Sequence, residues 1–447
     1  MSFLFLAFVL PISCKHLKKN VTLYIRQINS GAARGLRYYP RNLNLEYFIA
    51  RRVSGSKSGV ISSRVMVRIA TISVAVSVAV MIMAMGIVAG FQKEISYKVT
   101  GLTADITVRA HTPGNPYELI AGDYDPGIVE TLRGISGVDH VQQYINSAGI
   151  MQNSATMQGV SIKGVGSDYD WNFLREHLVD GEIPVYCDKT RSREMVVSRK
   201  IANLLDFKIG DVVNIISVGQ LARKTRFKIS GLYDSGIEEF DSHLVFVDIK
   251  TLRHIQHWSE ETIHGYEVQI TDLRNSYKVV SRIMERTKDY RVETVSETYY
   301  QIYDWLDMLN MNTVIVIIIM FIVAGVNMIC GILIIVLDST RMIGIFSAQG
   351  MRMWSIQKIF IYSSMYITLA GMIFGNIIGL GLALVQQYFG VITLDTDAYM
   401  VAAVPVEIPW LSVLTLDVAI FLGITLLMMF PTMIISKITP EKSIRFQ

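Results

Sequence analysis

Residues 313–337 read TVIVIIIMFIVAGVNMICGILIIVL, twenty-five residues without a charge. A helix needs about 20 apolar residues to cross a hydrocarbon core ~30 Å thick. This stretch therefore predicts a membrane span, and the rest of the chain is organised around it. Three more stretches qualify by the same test: 66–90, 359–385 and 411–435. Arg68 stands near the start of the first, where a long side chain can snorkel, and Asp417 lies inside the last. Composition agrees. Charged residues are 18% of the chain, below the ~25% of soluble proteins, and mean hydropathy is +0.37. A disordered chain and an ordinary cytosolic enzyme are excluded.

Between the first two spans lies a long polar insert. Residues 92–312 carry 24 Lys/Arg and 31 Asp/Glu, whereas residues 1–64 carry 11 basic residues and the single acid Glu46. Arg51, Arg52, Lys57 and Arg64 precede the first span, Arg341, Arg352 and Lys358 lie between spans two and three, and Lys437, Lys442 and Arg445 follow span four. The loop 386–410 has no Lys or Arg. Basic loops stay in the cytoplasm, so both termini are expected inside and the insert outside. Trp305 and Trp410 fall where an interfacial belt would place them. No basic stripe interleaved with aromatics suggests nucleic-acid binding.

The expected fold class is a polytopic α-helical membrane protein, with four transmembrane helices and a large extracytoplasmic α+β domain inserted between helices 1 and 2. Residues 1–43 read as an unstructured or non-native N-terminal extension, translated from upstream of a start near Asn42. A cytoplasmic interfacial helix, capped by Asn44, is expected over 44–65. The first transmembrane helix takes 66–91, the external domain 92–312 and the second helix 313–337. A cytoplasmic segment of 338–358 leads to the third helix at 359–385. The external loop 386–410, the fourth helix at 411–435 and a cytoplasmic tail of 436–447 complete the chain. A multi-pass membrane protein follows.

Within the insert, one pattern appears twice. Residues 105–109 read as a strand, Asp125-Pro126 starts a helix through Val129 and Leu132, and 138–144 reads as a second strand. Later 267–270 is a strand, 274–288 a helix and 291–294 a strand. Two such units at the ends of the insert predict one α+β subdomain made from both. Short strands at 158–165, 195–198, 212–217, 226–231 and 243–246 predict a β-rich subdomain between them. A helix from about Glu297 is expected to run into span two as one rod.

No Walker A pattern occurs, so an ATP-driven reading needs the phosphate-binding loop of another chain. No catalytic motif is found, and the expected role is a non-catalytic one. His254, His257 and His264 near Glu260 and Glu261 permit a metal site by spacing, but an exposed amphipathic helix explains them as well, and no metal is assigned. Cys187 is the one cysteine of the insert, so no disulfide forms within it. Gly371, Gly375 and Gly379 form a G-x-x-x-G-x-x-x-G run, and Gly86 and Gly90 repeat the spacing; packing within the protomer and dimer contact both suit it. Asp417 is either a proton-relay candidate or a carboxylate bonded to Thr415 near the interface. Met81, Met83, Met85, Met308 and Met311 gather at the outer ends of spans one and two, as packing filler or as an adaptable apolar surface.

The chain resembles the inner-membrane permeases of the lipoprotein-releasing (Lol) ABC transporters, within the FtsX/MacB-like permease superfamily. The residues that carry the resemblance are Leu45 to Arg52, Gly90 to Glu94, Gly210-Asp211, Phe227 to Gly231, Ser235-Gly236, Phe240-Asp241-Ser242, Arg341 to Ile345 with Ala348-Gln349-Gly350, Pro431, and Ile438 to Arg445. It implies a permease that extracts lipoproteins from the outer leaflet of the inner membrane. A separate cytoplasmic ATPase dimer would hold ATP and Mg, with no cofactor on this chain. A second permease protomer would complete a homo- or heterodimer, and a periplasmic carrier would receive the cargo. The implied acyl-chain cradle is Val78, Met81, Ile82, Met85, Met308 and Met311. The implied ATPase coupling residues are Arg341, Ile345, Ala348, Gly350 and Met351. A carrier contact would fall on Val218, Gln220 and Leu221, although the hairpin there is short and proline-free. Met342 stands where many relatives carry Glu. Alternatives are a mechanotransmitting FtsX-like permease that regulates an extracytoplasmic hydrolase, and a MacB-like efflux permease.

Overall fold

The computed structural model describes residues 46–50, 61–110, 122–153, 156–187, 189–218, 223–271, 276–395 and 399–433. The expectations for 1–43, for the Asn44 cap, for Arg51, Arg52 and Lys57, and for the tail 436–447 lie outside them. Residues 46–50 are helical. They rest on the third long helix, with Tyr47 edge-on to Tyr362 at 6.2 Å and Ser363 Oγ donating to the Ala50 carbonyl at 3.4 Å.

Helix α1 runs Ile61–Leu102, and strands β1 (Ile106–Ala110) and β2 (Gly122–Asp123) follow. Then come α2 (Pro126–Arg133), β3 (Val138–Gln152), β4 (Met157–Val165), α3 (Asn172–Glu176), β5 (Leu178–Gly181) and β6 (Glu194–Ser198). Next are α4 (Arg199–Leu204), β7 (Val212–Val218), β8 (Arg223–Tyr233), α5 (Glu238–Asp241), β9 (Leu244–Asp248) and α6 (Ile249–Gln256). The external domain closes with β10 (Thr262–Ile263), β11 (Gly265–Ile270), α7 (Ser276–Arg286), β12 (Tyr290–Thr294) and α8 (Val295–Thr298). The membrane part continues with α9 (Tyr300–Asp338), α10 (Thr340–Ala348), α11 (Met353–Phe389), α12 (Trp410–Leu427) and α13 (Met429–Met433).

Among the described residues, four helices are long and apolar enough to cross a membrane: 65–102, 300–338, 353–389 and 410–433. Two differences from the sequence reading matter. Residues 61–65 belong to α1, not to an interfacial helix, and α1 continues past residue 91 to Leu102, about 16 Å further at 1.5 Å per residue. The second rod starts at Tyr300, not Glu297. A capping box between Thr294 and Glu297 starts the one-turn helix α8, and Tyr299 at φ −110°, ψ 46° breaks the helix before α9 begins.

Lipid offers no hydrophobic drive for helix association, so close approach and packing hold the bundle. The glycine run of α11 supplies that approach. A Cβ on Gly371 would lie 2.7 Å from Val74 Cβ, and one on Gly375 2.7 Å from Val78 Cβ. Gly379 meets the Ala79 backbone at 3.0 Å, while Gly381 faces open space. The run thus seats α11 on α1 within one protomer. Gly86 and Gly90 have another use: they receive the backbone of the external loop at 405–407.

The expected two subdomains share one ten-stranded sheet of order β12-β1-β11-β3-β4-β9-β6-β8-β5, with β7 beside β3 and β8. The ends of the insert interleave, because β11 lies antiparallel between β1 and β3. Strand β3 is what fuses the halves. Its first part pairs with β11 and its last residues, 148–152, with β7. The sequence reading ends it at Tyr144. Gly149 is nevertheless within the strand: a Cβ there would stand 2.6 Å from Ile162 Cδ1. Helix α2 starts as expected, with Asp125 Oδ1 accepting from Gly127 N at 2.8 Å. It buries Val129 and Leu132, and α7 buries Val279, Val280 and Ile283, against one face of the sheet.

Candidate functional site

The outer extension of α1 carries Phe91, Ile95, Val99 and Leu102 at helical spacing, all buried. Helix α9 presents Ile302 and Leu306, one turn apart and also buried. These two stripes share a core with Tyr233, Ile237 and Phe240 of the external domain and with Val401 of the loop 386–410. Phe91 meets Trp305 edge-on at 6.0 Å, Phe240 meets Tyr299 at 5.1 Å, and Gly101 lies directly against the Phe173 ring. The result is a packed collar in which both rods, the sheet and the second external loop meet. A movement of either rod is felt by the sheet, since packed cores transmit strain.

The segment that carried the strongest resemblance forms the polar joint of this collar. Asp241 Oδ1 accepts from Ser235 Oγ at 2.8 Å and from Ser235 N at 3.2 Å, and Oδ2 accepts from Gly236 N at 3.0 Å. Burial pushes the Asp241 carboxyl up, and the hydrogen bonds from Ser235 oppose that shift. The turn so held places Gly236, at φ +73°, over Lys98 of α1. Lys98 Nζ donates to the Met400 carbonyl at 2.8 Å. On the same face, Glu407 N donates to the Gly86 carbonyl at 3.0 Å. Gln386 pins the loop by bonding both Ile392 and Val404. The sequence reading treated 386–410 as a plain loop and did not single out Lys98 or Gln386. Neither stands out in sequence: Lys98 lies among Gln92, Lys93, Glu94, Ser96 and Thr100, and Gln386 beside Gln387.

The expected cradle residues divide. Val78, Met81 and Ile82 are fully buried among α1, α9, α11 and α12 and present no surface to a ligand. This corrects the sequence reading: the glycine run lets α11 cover that face of α1. Met85 is half-buried, whereas Met308 and Met311 are 53% and 69% exposed on α9. They continue into an exposed apolar stripe of Ile315, Ile318 and Ile322. Of the expected coupling residues, Arg341, Ile345, Ala348 and Gly350 are exposed and Met351 is half-buried. Helix α10 turns Ile343 and Gly344 inward, so its opposite face is free for a partner. Gly350, at φ +83° with open space around it, makes the turn into α11.

Val218 ends β7, and Gln220 and Leu221 lie outside the described residues. The histidines serve the fold. His264 Nδ1 accepts from Asn146 N at 3.0 Å, and burial lowers its pKa to about 4. His257 closes α6 in a left-handed conformation. Asp417 bonds Asn376 Nδ2 at 3.1 Å, not Thr415, which turns to the Ser412 carbonyl.

A family model described as the MacB-like periplasmic core domain matches residues 69–286. One described as FtsX-like permease C-terminal matches residues 314–440. The lipoprotein-releasing system transmembrane protein LolC of Xylella fastidiosa (strain Temecula1) is 23% identical over 425 residues, covering 91% of this chain and 98% of the relative. The LolC of Neisseria meningitidis serogroup B is 21% identical over 435 residues, with the same coverages of 91% and 98%. Among solved structures, the periplasmic region of MacB from Actinobacillus actinomycetemcomitans aligns with 46% of this chain and 95% of its own. That match has 15% identity and a TM-score of 0.32.

Proposed function

We propose, for a chain that belongs to the FtsX/MacB-like permease superfamily, that it is the membrane subunit of an ABC transporter extracting lipoproteins from the outer leaflet of the bacterial inner membrane. The observation that carries this reading is the end-to-end match to lipoprotein-releasing system proteins, 91% of this chain and 98% of the relative. A separate ATPase dimer docks on the exposed face of α10. ATP binding there moves α10, and α9 and α1 carry the motion to the collar. A second permease protomer completes the complex, with the external domain in the periplasm and both termini in the cytoplasm. Burying acyl chains in lipid rather than water is worth about 0.8 kcal/mol per CH₂. Extraction therefore needs ATP and an apolar surface, and the exposed Met308–Met311 stripe with Met85 supplies that surface. Flexible thioethers repack around chains of different length.

Photo-cross-linking in cells tests this. A photo-reactive residue at position 311 captures triacylated protein, identified by mass spectrometry, and one at position 81 captures only this chain's own helices. Capture of no lipoprotein at 311 or 85, together with normal lipoprotein sorting on depletion, refutes the reading.

A further inference from the structure

The rigid rod α1 ends at a buried ion pair. Lys163 Nζ, on β4, donates to the Leu102 carbonyl at 2.9 Å and the Thr103 carbonyl at 3.3 Å. Its third partner is Glu267 Oε1 on β11, at 2.6 Å. All three ammonium protons are thus used. Glu267 Oε2 accepts from Gln142 of β3 at 2.8 Å, and Gln142 Oε1 accepts from Asp170 N at 2.9 Å. The side chains of Lys163 and Glu267 are 4% and 6% exposed. Burial pushes Lys163 down and Glu267 up, and their mutual attraction opposes both shifts.

Stability alone does not account for such a pair, since apolar residues of similar volume usually serve a core as well or better. What the pair adds is a fixed position. A cation is favoured at a helix C-terminus, where unpaired carbonyls converge. Here that cation also belongs to the centre of the sheet. The joint beside it is strained. Ala104, buried at 4% exposure, has φ +134°, a region that only glycine adopts freely. Such a conformation persists where its surroundings hold it. The next residue, Asp105, ties the end of α1 to the short helix that precedes α9: its carbonyl accepts from Val295 N, at the start of α8, at 2.9 Å. Its carboxylate accepts from Ile270 N at 2.7 Å.

We infer that Lys163 and Glu267 are the positioning pair that makes α1 move the external sheet as one body, and that the stiff Ala104 joint is part of the same latch. The inference rests on the proposal that ATP-driven helix motion reaches the external domain. It names the place where that motion is handed over.

The test uses the full permease–ATPase complex in proteoliposomes, carrying Lys163→Met with Glu267→Met. Replacing both partners removes the charges without leaving one unpaired. Spin labels at Cys187 and at Lys93→Cys, with Cys14→Ser and Cys330→Ser, report the distance between the sheet and α1. In wild type this distance stays fixed when ATP binds; the double variant is expected to keep an ATPase rate close to wild type, to melt somewhat lower because the Leu102 and Thr103 carbonyls lose their donor, to show an ATP-dependent change in that distance, and to release lipoprotein at least tenfold more slowly. Ala104→Gly, which relieves the strain and loosens the joint, carries the same expectation should the double variant fail to fold. A distance as invariant as in wild type in either folded variant, or a wild-type distance that itself changes on ATP binding, overturns the inference. Because the distance is read without cargo, a wild-type complex that hydrolyses ATP but releases no lipoprotein rejects the proposed substrate and leaves the latch to be judged on the labels.

Discussion

Gly236 closes over Lys98 so tightly that a Cβ at position 236 would stand 2.9 Å from the Lys98 Nζ. That Nζ holds the Met400 carbonyl at 2.8 Å, so one glycine lets three segments of the chain share one cation. The collar therefore behaves as a single joint.

Gly236→Ala should weaken this joint. A non-glycine residue at φ +73° costs about 1–2 kcal/mol, and the contact with Lys98 adds to that. Thermal unfolding of the purified protein should shift down, and release should fall with it. An unchanged melting temperature would remove the collar from the account.

Asp105 predicts a pH dependence. Burial raises its pKa from 3.8 to about 6, against the hydrogen bond from Ile270. The folded state then binds more protons than the unfolded state between those values, so stability falls as pH rises through that window. Asp105→Asn keeps an acceptor for Ile270 N–H and removes the cost of ionisation. The variant should be more stable than wild type above pH 6 by an amount on the order of 1–3 kcal/mol, and the difference should shrink toward pH 4. Parallel pH–melting curves for the two proteins would contradict the assignment.

A glycine inside the run of α11 and one just beyond it should respond differently. Gly375→Leu drives a side chain into Val78 and the Ala75 carbonyl, each 2.7 Å from its Cβ; overpacking of this kind costs about 1–3 kcal/mol. Gly381→Leu meets nothing within 4 Å. Expression and detergent stability should drop for the first and hold for the second. If only the second assembles poorly, the open face at Gly381 is the one that meets a partner.

Gly350 should matter through its backbone. With nothing within 4 Å of its Cβ position and φ +83°, Gly350→Ala costs about 1–2 kcal/mol, and Gly350→Asn costs less because Asn tolerates the left-handed region. Release per ATP hydrolysed should rank wild type above Asn above Ala. Equal coupling in all three would place ATPase docking elsewhere.

The four apolar spans, the polar insert and most strand positions were legible because bilayer thickness and the two-residue period of a strand act locally. The Asp125 cap was legible for the same reason. Which face of a helix meets which neighbour was not. Met81 and Met311 look alike in sequence, yet one is fully buried and the other 69% exposed, because the glycines of α11 admit a neighbour to one helix face and nothing of the kind covers the other. The fusion of two halves into one sheet depended on β3 continuing through Gly149, which only the nearness of Ile162 explains. Lys163 and Glu267 lie 104 positions apart, and Lys98 and Met400 are separated by 302. Burial of such charges is tolerable only when the partners meet in space, and that meeting is a property of the folded chain, not of any stretch of it.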